Sequence, residues 1–399
     1  MKYIVMLCDG MAGYPMEAFG NKTSMELANK PNMDRLAKGS IAGIVKTVPD
    51  GMKPGSDVAN MAALGYDATK CYTGRSPLEA MSIGIDMKDD DIAFRCNLVT
   101  LSNDEPYENK IMADYSAEEI STKEAEEIIK TLNEEFKNDE IEFYTGISYR
   151  HCMIWHGGPN GLDLTPPHDI SDRCIKDYVP KNEVIYSLME RSTKILKDHP
   201  VNIERIKKGL NPANAIWLWG EGTRPAIPDF TKTYGLKGAA ISAVDLIKGI
   251  GITAGLEVIN VEGATGNITT NFANKGKAAL KALLDGNDYV YIHVEAADES
   301  GHRGEAENKI KSIELIDRDI IGPLLKGLEE AGEDYRIMVM PDHPTPVALK
   351  THTADPVPFI IYDSTDKKDG IEAFTENMAS KTGLFLNNGM ELSKIFLNR

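Results

Sequence analysis

A chain of 399 residues, 42% apolar and 26% charged, has the composition of a soluble globular protein with room for two domains. Its net charge of −17 argues against nucleic acid or an anionic membrane as a main partner, and no apolar stretch is long enough to span a bilayer. The cysteines (Cys8, Cys71, Cys96, Cys152, Cys174) are scattered and never in C-x-x-C spacing, which predicts a reduced, cytoplasmic protein without zinc-finger sites.

Residues 3–8 form a continuous apolar run, the pattern of a strand buried on both faces of a parallel sheet, and it stops at Asp9-Gly10. An acid just past a strand's carboxyl end lies where α/β folds place ligands, although a turn or helix cap has the same pattern. Residues 23–38 predict a helix broken at Pro31, and 41–48 a second strand. In P-G-S-D-V-A-N-M-A-A-L, a Gly/Pro turn precedes Ser56, which opens the helical pattern Val58, Met61, Ala62, Leu64. Ser56 is there either an N-cap or a nucleophile at a helix N-terminus, where amides and dipole favour a phosphate. Arg75, in T-G-R-S-P-L-E-A, occupies a turn suited to an anion.

From about Asp89 the texture changes. A strand over 92–101 carries Arg95 and Asn97. Ser116 with Glu119 and Ser121 with Glu124 have capping-box spacings that predict a helix to about residue 137. Strands near 141–144 and 148–155, an irregular loop over 156–169, a helix over 183–197 and a strand over 215–219 follow. Residues 89–229 thus read as a second domain inserted into a core of 1–88 and 230–399, and they concentrate Arg150, His151, His168, Arg173 and Arg224. Beyond 230 the expected elements are a helix over 238–248 ending at Lys248, a strand over 256–261 and a helix over 275–284. A strand over 289–294, a helix marked by Ile310, Ile313, Ile316, Ile320 and Leu324, and strands over 336–340 and 359–362 complete the pattern.

Asp9, Asp298 and Asp342 each follow an apolar strand, so a parallel arrangement gathers them at one sheet edge. In V-E-A-A-D-E-S-G-H, four-residue spacing lets Asp298 and His302 point the same way from one helical turn. D-H-P-T-P adds His343, and T-H-T-A-D adds His352. Carboxylate and imidazole sets of this kind suit divalent cations with mixed oxygen and nitrogen ligands, and three acids with three histidines can serve two, Ser56 completing one site. His293 lies inside its apolar run and is expected to face sheet packing.

The ordered set D-G, P-G-S-D-V-A-N, V-E-A-x-D-E-x-G-H, D-H-P-T-P and T-H-T-A-D-P-V-P-F resembles the archaeal-type cofactor-independent (2,3-bisphosphoglycerate-independent) phosphoglycerate mutases of the alkaline phosphatase superfamily. The likeness extends over nearly the whole chain, through G-R-S-P-L-E-A, F-R-C-N-L-V-T, S-Y-R-H and P-A-N-A-I-W-L-W-G. It implies an α/β fold: an alkaline phosphatase-like core with a mostly parallel sheet flanked by helices, plus an inserted smaller α/β (α+β) domain that binds substrate. It implies Asp298, His302 and His352 as ligands of one cation and Asp9, Ser56, Asp342 and His343 as ligands of another, with Mn²⁺, Mg²⁺ or Zn²⁺ as the ions. Ser56 would be the nucleophile, carrying a phosphoserine as 3-phosphoglycerate becomes 2-phosphoglycerate in glycolysis or gluconeogenesis, without added 2,3-bisphosphoglycerate. Candidate contacts to this small phosphorylated substrate are Arg75, Arg95, Arg150, His151, Arg224 and Lys248. A phosphotransferase with another alcohol acceptor, homoserine kinase being an example, would use the same motifs, because they handle only the phosphoryl group. No feature of the sequence assigns an oligomeric state.

Overall fold

The computed structural model describes residues 1–397. The chain forms two compact units, one from Met1–Tyr72 and the chain from Ala226 onward, the other from Thr73–Pro225. The first holds an eight-stranded sheet in the order Phe385–Leu386, Ser40–Val45, Val357–Asp363, Tyr335–Met340, Lys2–Cys8, Tyr289–Val294, Gly238–Ile241, Glu257–Val258. Only Val357–Asp363 runs against the others, so the sheet is mostly parallel. Tyr289–Val294 and Tyr335–Met340 are buried at every position, which is why their sequences, His293 and Arg336 apart, are apolar without alternation. Helices such as Phe272–Leu284 and Pro31–Ala37 flank the sheet.

Residues 238–248 are not one helix. Gly238–Ile241 is a strand parallel to Tyr289–Val294, and the helix Asp245–Thr253 begins only afterwards. A short apolar run has no period to separate the two states, and Gly238 marks the strand: a Cβ there would meet Leu256 at 2.7 Å. Residues 23–38 form Ser24–Leu27, capped by Thr23 and Glu26, and then Pro31–Ala37, in which Pro31 takes the first turn where its missing N–H does no harm. The strands expected over 41–48 and 256–261 are Ser40–Val45 and Glu257–Val258.

The second unit is a five-stranded sheet in which Asp91–Leu101 pairs antiparallel with Met112–Asp114, Arg150–His156 and Ala215–Thr223, while Ile141–Ile147 pairs with Arg150–His156. Of the two capping boxes only Ser121 with Glu124 opens a helix, Thr122–Phe136. Ala117, Glu118 and Glu119 have φ of 46°, 55° and 49°, so a left-handed turn follows Ser116. The helix Pro200–Lys207, capped by His199 Nδ1 accepting from Val201 N, had no expected counterpart. Helix Arg75–Ser82 belongs to this unit, which spans Thr73–Pro225 where the sequence pattern suggests 89–229. Thr73 Oγ1 donates to Thr223 O at 2.6 Å and Ser76 Oγ to Gly220 O, tying this helix to the strand Ala215–Thr223. Among the described residues no helix is long and apolar enough to cross a membrane.

Candidate active site

Parallel strands deliver their carboxyl ends to one edge of the first unit's sheet. Asp9 follows Lys2–Cys8, Asp342 and His343 follow Tyr335–Met340, and Asp298 lies in the helix Ala296–Arg303 just beyond Tyr289–Val294. Ser40–Val45 leads at the same edge into the turn before helix Ser56–Ala63. Gly55 is that helix's N-cap, so Ser56 is its first helical residue and its hydroxyl makes no cap. Instead Ser56 Oγ lies 3.2 Å from His343 Nε2 and 3.4 Å from Asp9 Oδ2. His343 Nε2 is also 3.3 Å from Asp342 Oδ2 and 3.6 Å from Asp9 Oδ1. In the second cluster Asp298 Oδ2 is 3.2 Å from His302 Nε2, Asp298 Oδ1 is 3.3 Å from His352 Nε2, and the two imidazole Nε2 atoms are 2.8 Å apart. The structure thus brings together all seven residues expected as metal ligands.

Two observations test whether these residues fit cations. Asp9 is 1% exposed and its Oδ1 has no hydrogen-bond partner, an unmet acceptor aimed among other acceptors. His302 Nδ1 faces the Lys350 carbonyl oxygen at 3.0 Å, which can only accept, so the neutral ring carries its proton there and turns the Nε2 lone pair toward Asp298 and His352. Once His302 is neutral, its Nε2 and the Asp298 oxygens are acceptors facing one space, and a cation can take the place of the proton held there. One ligand atom from each of Asp9, Asp342 and His343 lies within 4.8 Å of the other two, and the same holds for Asp298, His343 and His352. The oxygen and nitrogen donors fit divalent ions.

Charge crowding agrees. Burial and then the nearby Asp342 and Asp298 carboxylates push Asp9 well above the ordinary carboxylate range. Burial acts on Asp298 in the same sense, but hydrogen bonds from His302 and His352 overcome it and hold its pKa low. The hydrogen bond to Asp298 raises His302 to about 9, while burial lowers His343.

Further buried residues, none of them conspicuous in the sequence, support the two clusters. Asn60 Nδ2 donates to Asp342 Oδ2 at 2.9 Å and to Ser56 O at 2.8 Å, and Asn60 Oδ1 accepts from the Tyr291 hydroxyl at 2.6 Å. Its signal was present: Ser56 and Asn60 are four apart on one helix. Thr345 Oγ1 donates to Asp298 Oδ1 and lies 3.3 Å from His343 Nδ1, linking the two clusters. The fully buried Lys309 donates to the carbonyls of Ala12 and Thr345 at 2.9 and 2.7 Å. Burial, then Asp298, lifts Glu295 to about 7, and one of its oxygens lies within 4.8 Å of ligand atoms of Asp9 and Asp298. His293, expected to face sheet packing, is fully buried but bonds Asp9: its Nε2 is 2.9 Å from Asp9 Oδ2.

The basic candidates divide. Lys248 lies in the first unit, 3.5 Å from Asp245 Oδ1. In the second unit Arg95 is committed to Glu79 by two bonds of 2.7 and 2.5 Å, and its guanidinium lies 4.6 Å from the Trp219 ring centre. Arg75 is half-exposed near Glu79, Arg224 pairs loosely with Asp89, and Arg150 lies over Tyr149. Burial lowers His151 to about 4, so it is neutral; Nδ1 accepts from Gly146 N, leaving Nε2–H without a partner. Trp219, His168, Tyr115 and Tyr149 form a row of ring contacts, with Arg95 and Arg150 at its ends.

A serine at a helix N-terminus facing buried carboxylates and imidazoles, at the carboxyl edge of a mostly parallel sheet, defines a class: an α/β enzyme of phosphoryl transfer. The chain is 48% identical over 405 residues to the 2,3-bisphosphoglycerate-independent phosphoglycerate mutase of Methanosarcina mazei, each chain being covered completely. It belongs to the family of 2,3-bisphosphoglycerate-independent phosphoglycerate mutases, whose family model matches residues 37–202. Among solved structures, the PH0037 protein from Pyrococcus horikoshii is similar with a TM-score of 0.84 and 30% identity, covering 100% of this chain and 96% of that one. The cofactor-independent phosphoglycerate mutase from Thermoplasma acidophilum is similar with a TM-score of 0.71 and 26% identity, covering 100% and 99%.

Proposed function

We infer that this protein interconverts 3-phosphoglycerate and 2-phosphoglycerate through a phosphoserine at Ser56. Family membership supports the reaction, and the observation that carries the assignment of Ser56 is its hydroxyl at a helix start, 3.2 Å from His343 and 3.4 Å from Asp9. Asp298, His302 and His352 would hold one divalent cation, and Asp9, Asp342 and His343 with Ser56 a second; Mn²⁺, Mg²⁺ and Zn²⁺ all accept such donors. Bound there, the ions make the serine hydroxyl a stronger acid and offset charge on the phosphoryl oxygens.

Ser56 Oγ forms a bond to phosphorus as the bond to the C3 oxygen of glycerate breaks. Glycerate then recovers the phosphoryl group on its C2 oxygen, freeing Ser56, so no bisphosphoglycerate is needed. Amides of the first helical turn face the anion that Ser56 carries. Asn60 bonds both the Ser56 carbonyl and Asp342, which fixes the nucleophile's backbone against the ligand set. His151 and Arg150 are the second unit's proposed anion donors, because among the described residues neither is paired with a carboxylate. A cytoplasmic setting fits the five free thiols, four of them buried.

The test is phosphorus NMR of metal-loaded protein with 3-phosphoglycerate and no bisphosphoglycerate. Growth of 2-phosphoglycerate with little free phosphate is expected, and Ser56→Ala should abolish it while leaving the circular dichroism unchanged. Steady phosphate release instead would indicate a phosphatase, and transfer from ATP to homoserine without conversion would indicate a kinase on this scaffold.

A further inference from the structure

The imidazole of His293 lies behind the ligand set, and its connections fix which nitrogen carries the proton. Leu7 pairs with His293 across neighbouring strands, and Asp9 N donates to Val294 O at 3.0 Å, so strand geometry continues to Asp9. Asp9 lies two residues beyond Leu7 and shares its face, which brings the carboxylate onto the imidazole. On the ring's other side, Ser242 Oγ accepts from Val244 N at 3.0 Å and lies 3.1 Å from His293 Nδ1. As a metal ligand Asp9 is ionised and can only accept, so the one N–H of a neutral imidazole belongs to Nε2, 2.9 Å from Asp9 Oδ2, which leaves Nδ1 to accept the Ser242 O–H. Lys275 Nζ donates to the His293 carbonyl at 3.2 Å and anchors the strand at this point.

The two oxygens of Asp9 therefore differ. Oδ2 receives an N–H from His293, while Oδ1 is the buried atom without a partner. We propose that His293 is a positioning residue: held by Ser242, it donates to Asp9 Oδ2, fixes the carboxylate's rotation and presents Oδ1 alone to a divalent cation. The inference rests on the reading above in which Asp9 is a metal ligand. Without the N–H, the carboxylate is free to turn, and the fixed one-oxygen ligand is lost. Partners of this kind behind a metal ligand typically change metal affinity about 10–100-fold.

The experiment is Mn²⁺ titration by calorimetry of the metal-free full-length protein, with His293→Leu, His293→Gln and Ser242→Ala, each also followed by thermal melting. His293→Leu should weaken binding at one site about 10–100-fold. His293→Gln, which keeps an N–H of similar reach, should recover most of that affinity, and Ser242→Ala should lie between them. In all three kcat should fall more than KM for 3-phosphoglycerate rises, since no substrate contact is removed. Unaltered Mn²⁺ affinity in His293→Leu and Ser242→Ala, even with lowered melting temperatures, would overturn the proposal. If His293→Leu does not fold, Ser242→Ala decides: unchanged affinity sinks the idea, and several-fold weaker binding upholds it. Failure of the underlying reading has a different signature, because the unaltered protein would then bind no Mn²⁺, or Asp9→Asn would leave binding unaffected.

Discussion

Asn60→Asp changes one heavy atom and reverses the electrostatics of the bonds that hold Ser56 and Asp342. Asn60 is fully buried, its amide nitrogen 2.9 Å from Asp342 Oδ2 and 2.8 Å from the Ser56 carbonyl oxygen. An aspartate there sets oxygen against oxygen at both contacts. Loss of the charge-assisted bond to Asp342 costs about 1.5–3 kcal/mol. Two carboxylates at that distance cannot both be ionised, so one must hold a proton. For the metal-free protein near pH 7.5 the sum is about 3–5 kcal/mol, the range for a buried charge that has lost its partner.

The sign of the pH dependence follows. A carboxyl raised in the folded state leaves that state binding more protons than the unfolded chain. Destabilisation therefore begins above the unfolded pKa of about 4 and grows by up to about 1.4 kcal/mol per pH unit until the raised pKa is passed. Urea unfolding between pH 5 and 8 measures it. Far-UV circular dichroism is the probe to use, because Trp155, Trp217 and Trp219 all lie in the second unit. Added Mn²⁺ should narrow the gap by offsetting the two carboxylates. A difference under about 1 kcal/mol throughout, against the 3–5 expected for an unpaired buried charge, or one equal at both pH limits, would refute the reasoning.

Thr345→Val keeps shape but removes the hydroxyl that donates to Asp298, so Mn²⁺ affinity and kcat/KM should fall about 10–100-fold; calorimetry showing unchanged affinity would count against it. Gly10→Ala places a Cβ 2.6 Å from the Asp298 Cα at a φ of +62°. The conformational term alone is about 1–2 kcal/mol, and displacement of Asp298 should also weaken Mn²⁺ binding, which melting curves and metal titration check together. His302, raised to about 9 by its hydrogen bond to Asp298, must lose its proton to take a cation. Mn²⁺ affinity should therefore climb up to about tenfold per pH unit below that value and level off above it, with proton release seen by calorimetry in two buffers. The same raised pKa stabilises the metal-free protein fully below about 6.5, and that contribution is lost as pH rises through the folded value.

What the sequence made legible follows from how each feature is encoded. Strands buried on both faces have continuous apolar runs, so the residue ending each run is conspicuous, and Asp9 and Asp342 were found that way. Asp298 and His302 came from helical spacing. The same rule failed at 238–248, where an apolar run holds a strand and the start of a helix and only Gly238 records the change. His293 sits in a run whose burial was read correctly, but burial does not say whether the neighbouring atom is a methyl or a carboxylate. The second unit's basic residues were hardest. Arg95 and Arg150 look alike in sequence, yet one is held by Glu79 and the other lies over Tyr149 with no carboxylate partner among the described residues, and that partition depends on cross-strand and helix contacts.

His352 shows how topology brings to the site a proposed ligand that no strand-end rule predicts. It precedes its strand, whereas Asp9 and Asp342 follow theirs, and it reaches the same edge because Val357–Asp363 alone runs backwards. Val357 pairs with Val45, so the start of that strand lies beside the end of Ser40–Val45, which leads on to Ser56. One reversed strand thus lets a serine and a histidine arrive from adjacent strands in opposite chain directions. Register does not set the final position, since His352 lies five residues before the strand begins. Bonds between connections set it. Thr353 N donates to Pro344 O and Thr345 N to Ala12 O, each at 3.1 Å, while Lys309 clamps the Ala12 and Thr345 carbonyls. The imidazoles of His343 and His352 are held with ring centres 3.9 Å apart by this chain of loop-to-loop bonds. The sheet therefore fixes which residues meet, and the buried lysine and threonine fix how closely.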